Sequence, residues 1–201
     1  MKRHAERGGT RSERVGKNYP EIDGALRAFI ERQKMFLVAS APSGSAGHVN
    51  VSPKGLDTFR VLGPRRVGYL DYNGSGVETI AHVRENGRLT IMFCAFEGKP
   101  NIVRLYGTGR VVEPGAAGYD DLLAAFGLGG STAKVRSIIV LEVERISDSC
   151  GFGVPLYSYV GDREQLTAWS ERKTAEEIRA YQRGKNGVSI DGLRGLESAS
   201  S

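Results

Sequence analysis

The sequence predicts an α+β protein that is mainly β: an antiparallel barrel or strongly curved sheet with flanking helices. Several short segments are apolar or alternate polar with apolar residues, and most end in turns rich in Gly, Pro, Asn or Ser. The connections between the early segments are also too short for regular βαβ crossovers. A doubly wound parallel sheet is the alternative that this pattern leaves open.

One helix and three strands are predicted in the first part of the chain. The helix follows Pro20, a residue that is tolerated where a helix begins, and its apolar residues recur at helical spacing. The second strand ends before Pro53, which breaks the alternation. The predicted elements are a helix from Ile22 and strands over Met35 to Ala41, His48 to Ser52 and Arg65 to Tyr72.

The second part of the chain alternates further strands with helices. The segment after Arg88 is apolar on both faces, which predicts a central strand. Thr174 and Glu177 have the spacing of a capping box. The predicted elements are helices over Val77 to Glu85 and Tyr119 to Phe126, helices opened by Asp162 and Thr174, and strands over Arg88 to Phe96, Asn101 to Glu113 and Val135 to Val143.

Composition divides the chain into three parts. Residues 1–18 are basic and are expected to form a disordered arm, residues 19–183 to form one domain, and residues 184–201 to form a Gly- and Ser-rich tail. Disorder of the whole chain is excluded, because 40% of the 201 residues are hydrophobic and 25% are charged.

Membrane and secretory classes are not indicated by this sequence. No apolar run approaches the roughly 18 residues that a membrane span needs, and the N-terminus lacks the apolar core of a signal peptide. We therefore expect a cytoplasmic protein. The basic arm has no interleaved aromatic residues, so nucleic-acid binding is a minor alternative.

The segment NGSGVETIAHV, residues 73–83, is the strongest local signal. Ser75 is placed to cap the following helix, with Glu78 three residues later as its partner. Free N–H groups and the helix dipole at such a turn favour an anion. A plain strand-to-helix turn is the alternative, since the spacing matches neither a Walker nor a Rossmann motif.

Two strands add polar groups that could serve the same ligand. His48, Asn50 and Ser52 share one face of their predicted strand, and Lys54 follows it. Arg104 lies in mid-strand on another polar face, for which contact with solvent is an equally good explanation. The sequence shows no nucleophile elbow and no His or Cys at metal-ligand spacing, so a cofactor is expected to carry any chemistry.

Three segments together resemble the pyridoxamine 5′-phosphate oxidase-like, FMN-binding split-barrel family. They are MFLVASAPSGSAGHVNVSPKG, YLDYNGSGVETIAHVRENGRLTIMFCAFEGKPNIVRLYGTGRVV and SCGFGVPLYSYVGDREQL, and the resemblance covers roughly Ile22 to Trp169. It implies a six-stranded antiparallel split β-barrel, a homodimer, and FMN at the subunit interface, with a deazaflavin coenzyme or haem as alternatives.

The same resemblance implies cofactor contacts residue by residue. The strand matching Asn50 to Lys54 would run beside the flavin ring, the residues matching Asp71 to Thr79 would approach the phosphate, and Arg104 would reach the phosphate. Trp169 is the candidate for a residue contributed by the partner subunit. The implied cofactor-binding residues are His48, Asn50, Val51, Ser52, Lys54, Asp71, Ser75, Thr79, Arg104 and Trp169.

The implied activity is that of an FMN-dependent oxidoreductase that transfers a hydride to or from a small molecule. Non-catalytic binding or carriage of flavin, deazaflavin or haem is the alternative. The vitamin oxidase of this family usually has an Arg-Lys pair where this chain has Glu78 and Thr79. That difference argues against oxidation of pyridoxamine 5′-phosphate itself.

Overall fold

The computed structural model describes residues 16–128 and 132–199. Its centre is an eight-stranded antiparallel sheet with the strand order β3-β2-β6-β7-β8-β5-β4, and β1 pairs with β8 outside this path. The strands are β1 (Asn18–Tyr19), β2 (Phe36–Ser40), β3 (Asn50–Lys54), β4 (Phe59–Gly63), β5 (Arg66–Tyr72), β6 (Arg88–Cys94), β7 (Ile102–Val112) and β8 (Val135–Ser149).

Helices lie between and after these strands. The described helices are α1 (Gly24–Arg32), α2 (Glu78–Asn86), α3 (Tyr119–Ala124), α4 (Gln165–Glu171) and α5 (Ala175–Lys185). The sheet curves into the predicted split barrel, with seven strands on its continuous path where the resemblance implied six. No helix among the described residues is long and apolar enough to cross a membrane.

The main core fills the inside of the barrel. Alternate residues of β6 and β7, such as Ile91, Phe93, Val103 and Leu105, are almost fully buried there together with apolar residues of α1. Val103 and Leu105 of β7 are thus buried in the core, while Arg104, between them, lies on the opposite face, which was predicted to be polar. A second cluster lies on the other side of β5 and β8, where Leu166 of α4 packs against it.

Two strand predictions were wrong at their ends. Pro53 does not end its strand, because β3 begins at Asn50 and continues through Pro53 to Lys54. β3 is an edge strand that pairs only with β2 on the sheet path, and an edge strand tolerates the missing N–H of proline. β8 continues to Ser149, beyond the predicted end at Val143.

The C-terminal residues contact the barrel. Asn186 and Leu196 are fully buried, and the Asn186 side chain donates a hydrogen bond to the Gly74 carbonyl. The predicted disordered arm over residues 1–18 lies mostly outside the described residues, and so do residues 200 and 201.

Candidate functional site

A cavity of about 390 Å³ lies where β3, β5 and the start of α2 meet. Its wall combines lysine, arginine and hydroxyl side chains with backbone of the turn after β5, and its rim includes Leu166 from α4. The lining residues that carry polar side chains are Ser52, Lys54, Thr58, Tyr72, Asn73, Glu78, Thr79 and Arg136. The volume and mixed lining are typical of a small-molecule site.

A three-residue charge cluster adjoins this cavity. Asp71 is 1% exposed and accepts hydrogen bonds from Lys54 Nζ at 2.7 Å and from Arg136 Nε at 2.8 Å. Lys54 and Arg136 both line the cavity. Because two cations share one carboxylate, the cluster itself carries one net positive charge, and the Glu78 carboxylate on the cavity wall opposes it.

The cluster keeps Asp71 ionised. Burial alone would raise the pKa of this carboxyl, but the charges of Arg136 and Lys54 and their hydrogen bonds outweigh burial and lower the pKa below its usual range. The carboxylate therefore fixes the positions of both cations at neutral pH.

The turn after β5 is held in place by side chains from distant parts of the chain. The Gly74 carbonyl accepts from Arg136 Nη1 at 3.0 Å and from Asn186 Nδ2 at 2.9 Å. Asn73 accepts from Gln182 Nε2 at 2.8 Å through its Oδ1. These bonds fix the backbone that leads into α2, so the cavity wall is largely preformed.

The predicted cap of α2 was wrong. The N-cap residue is Val77, which makes no side-chain cap hydrogen bond, and Ser75 is exposed outside the helix. Val77 is 2% exposed, and its burial in the core fixes where the helix begins. Glu78 Oε1 accepts from the Ile190 backbone N–H at 3.4 Å, so the C-terminal segment holds this carboxylate.

The start of α2 still offers hydrogen-bond donors to the cavity. Glu78 and Thr79 both line it, and first-turn N–H groups have no partner within a helix. The helix dipole adds partial positive charge at the same place. Anion binding at this turn stays a prediction, and the cap that was expected to accompany it is absent.

The polar face of β3 leads into the same cavity. Asn50 Nδ2 donates to Thr79 Oγ1 at 2.9 Å, and Ser52 Oγ donates to Asn50 Oδ1 at 3.0 Å. Ser52 and Thr79 line the cavity, whereas Val51 points to the opposite face and is 59% exposed. Of the predicted residues, the structure thus brings Asn50, Ser52, Lys54, Asp71 and Thr79 together.

Other predicted site residues are not among the lining residues of this cavity. The His48 ring, which is exposed, contacts Asp191 with 2.6 Å between Nδ1 and Oδ1, and Ser75 is not among the lining residues. Arg104 lies on β7 and donates to Ser149 Oγ at 3.1 Å. Trp169 packs edge-on against Tyr181, with 4.9 Å between ring centroids. Neither Arg104 nor Trp169 is among the residues that line the cavity in the single chain.

Sequence reasoning missed Arg136 and Leu166 as lining residues. Arg136 lies two residues into a mostly apolar strand and is 5% exposed. A buried arginine needs a partner, and that requirement could have linked it to the equally isolated Asp71. Leu166 lies in the helix that was predicted to open at Asp162, and no local pattern shows which cavity that helix covers.

Comparison with known proteins places this chain among relatives. The family model described as pyridoxamine 5′-phosphate oxidase matches residues 22–150. A pyridoxamine 5′-phosphate oxidase family protein of Aspergillus flavus, ustO, is 43% identical over 199 residues, which cover 90% of this chain and 78% of the relative.

Solved structures agree on the fold. A variant of HupZ from Group A Streptococcus has a TM-score of 0.50 at 22% identity and covers 63% of this chain and 98% of its own. A protein of Lactobacillus delbrueckii has a TM-score of 0.50 at 17% identity and covers 66% of this chain and 98% of its own. The family model, the fungal relative and the shared split barrel together show that this chain belongs to the pyridoxamine 5′-phosphate oxidase family.

Proposed function

We propose that this protein is an FMN-dependent oxidoreductase that transfers a hydride to or from a small molecule. The observation that carries the proposal is the Lys54–Asp71–Arg136 cluster beside the start of α2. The cluster supplies one net positive charge and α2 supplies N–H donors along one cavity, which the Glu78 carboxylate also lines. These groups fit a phosphorylated, partly anionic cofactor, and membership of the family supports the same choice.

Different residues would hold different parts of the cofactor. Lys54, Arg136 and the first turn of α2 would hold negative charge, while the Ser52 hydroxyl and the backbone of β3 would contact the edge of the ring system. Bound FMN would supply the hydride-accepting and hydride-donating centre. A positive charge held at Lys54 also stabilises an anionic ring, which would favour its reduced form.

We also propose that the functional unit is a homodimer with the cofactor at the interface. Phe152 and Val160, in the loop after β8, are 82% and 99% exposed in the single chain, and Tyr157 is 63% exposed. Large exposed apolar side chains in one loop are typical of a surface that another protein covers. The proposed interface would also give Arg104 and Trp169 a way to reach a cofactor held by the partner.

The experiment is a titration of the purified protein with FMN, followed by flavin fluorescence, on wild type and Lys54→Met. Methionine keeps most of the aliphatic stem and removes the charge, so we expect the Kd for FMN to rise about tenfold or more. Lys185→Met, at an exposed position at the end of α5, is the matched control and should bind like wild type.

The outcomes of this titration separate the alternatives. Equal affinity of Lys54→Met and wild type would remove Lys54 from the site. Wild type that ignores FMN but binds a deazaflavin or haem would replace the proposed cofactor. Bleaching of the bound flavin by a reduced nicotinamide under anaerobic conditions would support an enzyme over a non-catalytic carrier.

A further inference from the structure

A buried histidine is connected to the cavity wall through two intervening residues, Ser40 and Asn50. His82, in α2, is fully buried, and its Nδ1 lies 3.0 Å from Ser40 Oγ on β2. Its Nε2 has no hydrogen-bond partner among residues 16–128 and 132–199. The ring is therefore joined to the rest of the molecule by one polar contact, and that contact points towards β2 and β3.

A chain of hydrogen bonds continues from Ser40 to the cavity. Asn50, opposite Ser40 across the β2–β3 pair, donates weakly to Ser40 Oγ at 3.4 Å and strongly to Thr79 Oγ1 at 2.9 Å. Ser52 Oγ donates to the other end of the Asn50 amide at 3.0 Å. The chain ends at Ser52 and Thr79, which both line the cavity.

We propose that His82 is a positioning residue for the ligand of this cavity. His82 holds the Ser40 hydroxyl through a hydrogen bond, and that hydroxyl in turn contacts the Asn50 amide. The Asn50 amide then fixes the rotamers of the Thr79 and Ser52 hydroxyls. The amide presents its donor end to Thr79 and its acceptor end to Ser52. The Ser52 proton is thereby committed to Asn50, and Ser52 offers lone pairs to the ligand.

The alternative is that His82 only fills space. A buried residue whose role is packing is replaced without penalty by an apolar ring of similar size, since no polar group then loses a needed partner. The geometry favours a positioning role for His82, because removal of its Nδ1 leaves the buried Ser40 hydroxyl without its hydrogen-bond partner on α2. This inference rests on the proposed binding of FMN at the cavity.

The test compares FMN affinity and the visible circular dichroism of bound flavin in wild type, His82→Phe and His82→Asn. Phenylalanine keeps the ring and removes Nδ1, so we expect the Kd to rise roughly fivefold and the flavin spectrum to shift. Asparagine places an amide atom close to the former Nδ1. Despite its smaller volume, it should restore the affinity to within about twofold of wild type.

Asn50→Ala interrupts the chain and serves as the second background. In that background His82→Phe should leave the Kd for FMN unchanged, because the connection to the cavity is already lost. If His82→Phe raises the Kd for FMN by the same factor in both backgrounds, the positioning role is overturned. It is also overturned if His82→Phe and His82→Asn raise the Kd equally.

Wild-type affinity in folded His82→Phe would overturn it too, while leaving the proposed function intact. Failure of wild type to bind FMN would instead overturn the proposed function and this inference together. Thermal unfolding of the ligand-free variants identifies the folded samples.

Discussion

Asp71 decides the chemistry of the cavity although its side chain is almost fully enclosed. Taking a carboxylate out of water is unfavourable, and here Lys54 and Arg136 compensate with short, charge-assisted hydrogen bonds. The sequence predicted Asp71 and Lys54 as site residues but gave no partner for either. Arg136, 65 residues further along the chain, reaches Asp71 because β5 and β8 are neighbours in the sheet.

Replacing Asp71 by Asn tests this cluster through its pH dependence. The folded-state pKa of Asp71 is lowered, so its ionisation stabilises the fold above its usual pKa of about 4. That contribution is lost as pH falls through the lowered pKa. We expect Asp71→Asn to reduce the free energy of unfolding by about 3 kcal/mol at pH 7, because the buried Arg136 and the partly buried Lys54 lose their charge partner.

Urea denaturation of both proteins at pH 7 and at successively lower pH measures this effect. The gap between wild type and Asp71→Asn should narrow as the pH falls below about 4, since wild type then also loses the carboxylate charge. A difference in the free energy of unfolding that stays constant between pH 7 and pH 3 would show that the contribution of Asp71 to stability does not depend on its charge.

Helices α2 and α5 have the same predicted capping pattern, but only α5 begins with it. Thr174 and Glu177 form the predicted capping box at the start of α5, with both reciprocal hydrogen bonds present. Ser75 and Glu78 have the same spacing, yet α2 begins after Val77 and Glu78 bonds Ile190 instead. The local pattern was decisive for the exposed helix, whereas core packing of Val77 overrode it for the buried helix.

Alanine substitutions at the two cap positions give opposite expectations. Thr174→Ala should lower the free energy of unfolding by about 1 kcal/mol, because the Glu177 N–H loses its acceptor. Ser75→Ala should change it by less than about 0.5 kcal/mol, because Ser75 is exposed and caps nothing. Chemical denaturation of the two variants measures both free energies of unfolding. Equal losses in Ser75→Ala and Thr174→Ala would show that Ser75 does cap α2.

Strand prediction succeeded where the apolar pattern was strong and failed at the edges of the sheet. β2, β5, β6 and β7 were predicted close to their observed bounds. β4 was missed because its five residues, Phe59–Gly63, have one buried residue and no clear alternation. The end of β3 was predicted wrongly at Pro53, because a proline interrupts a strand only where its N–H would donate to a neighbouring strand. In an edge strand such as β3, that N–H can face away from the sheet.

At the scale of the molecule, the split barrel explains why the site is assembled from distant residues. β3 and β5 are at opposite sides of the sheet order, and the curvature brings their ends together beside α2. Sequence patterns predicted an antiparallel barrel or strongly curved sheet but not which strand ends meet, because that depends on register and twist that no single segment specifies. The C-terminal residues add the contacts of Asn186 and Gln182 that fix the turn before α2.

The most direct measurement is sedimentation of the FMN-loaded protein, recorded at both protein and flavin wavelengths. The account predicts one species with twice the mass of a single chain, carrying one FMN per chain. A species with the mass of one chain, from which all flavin separates during the run, would contradict it.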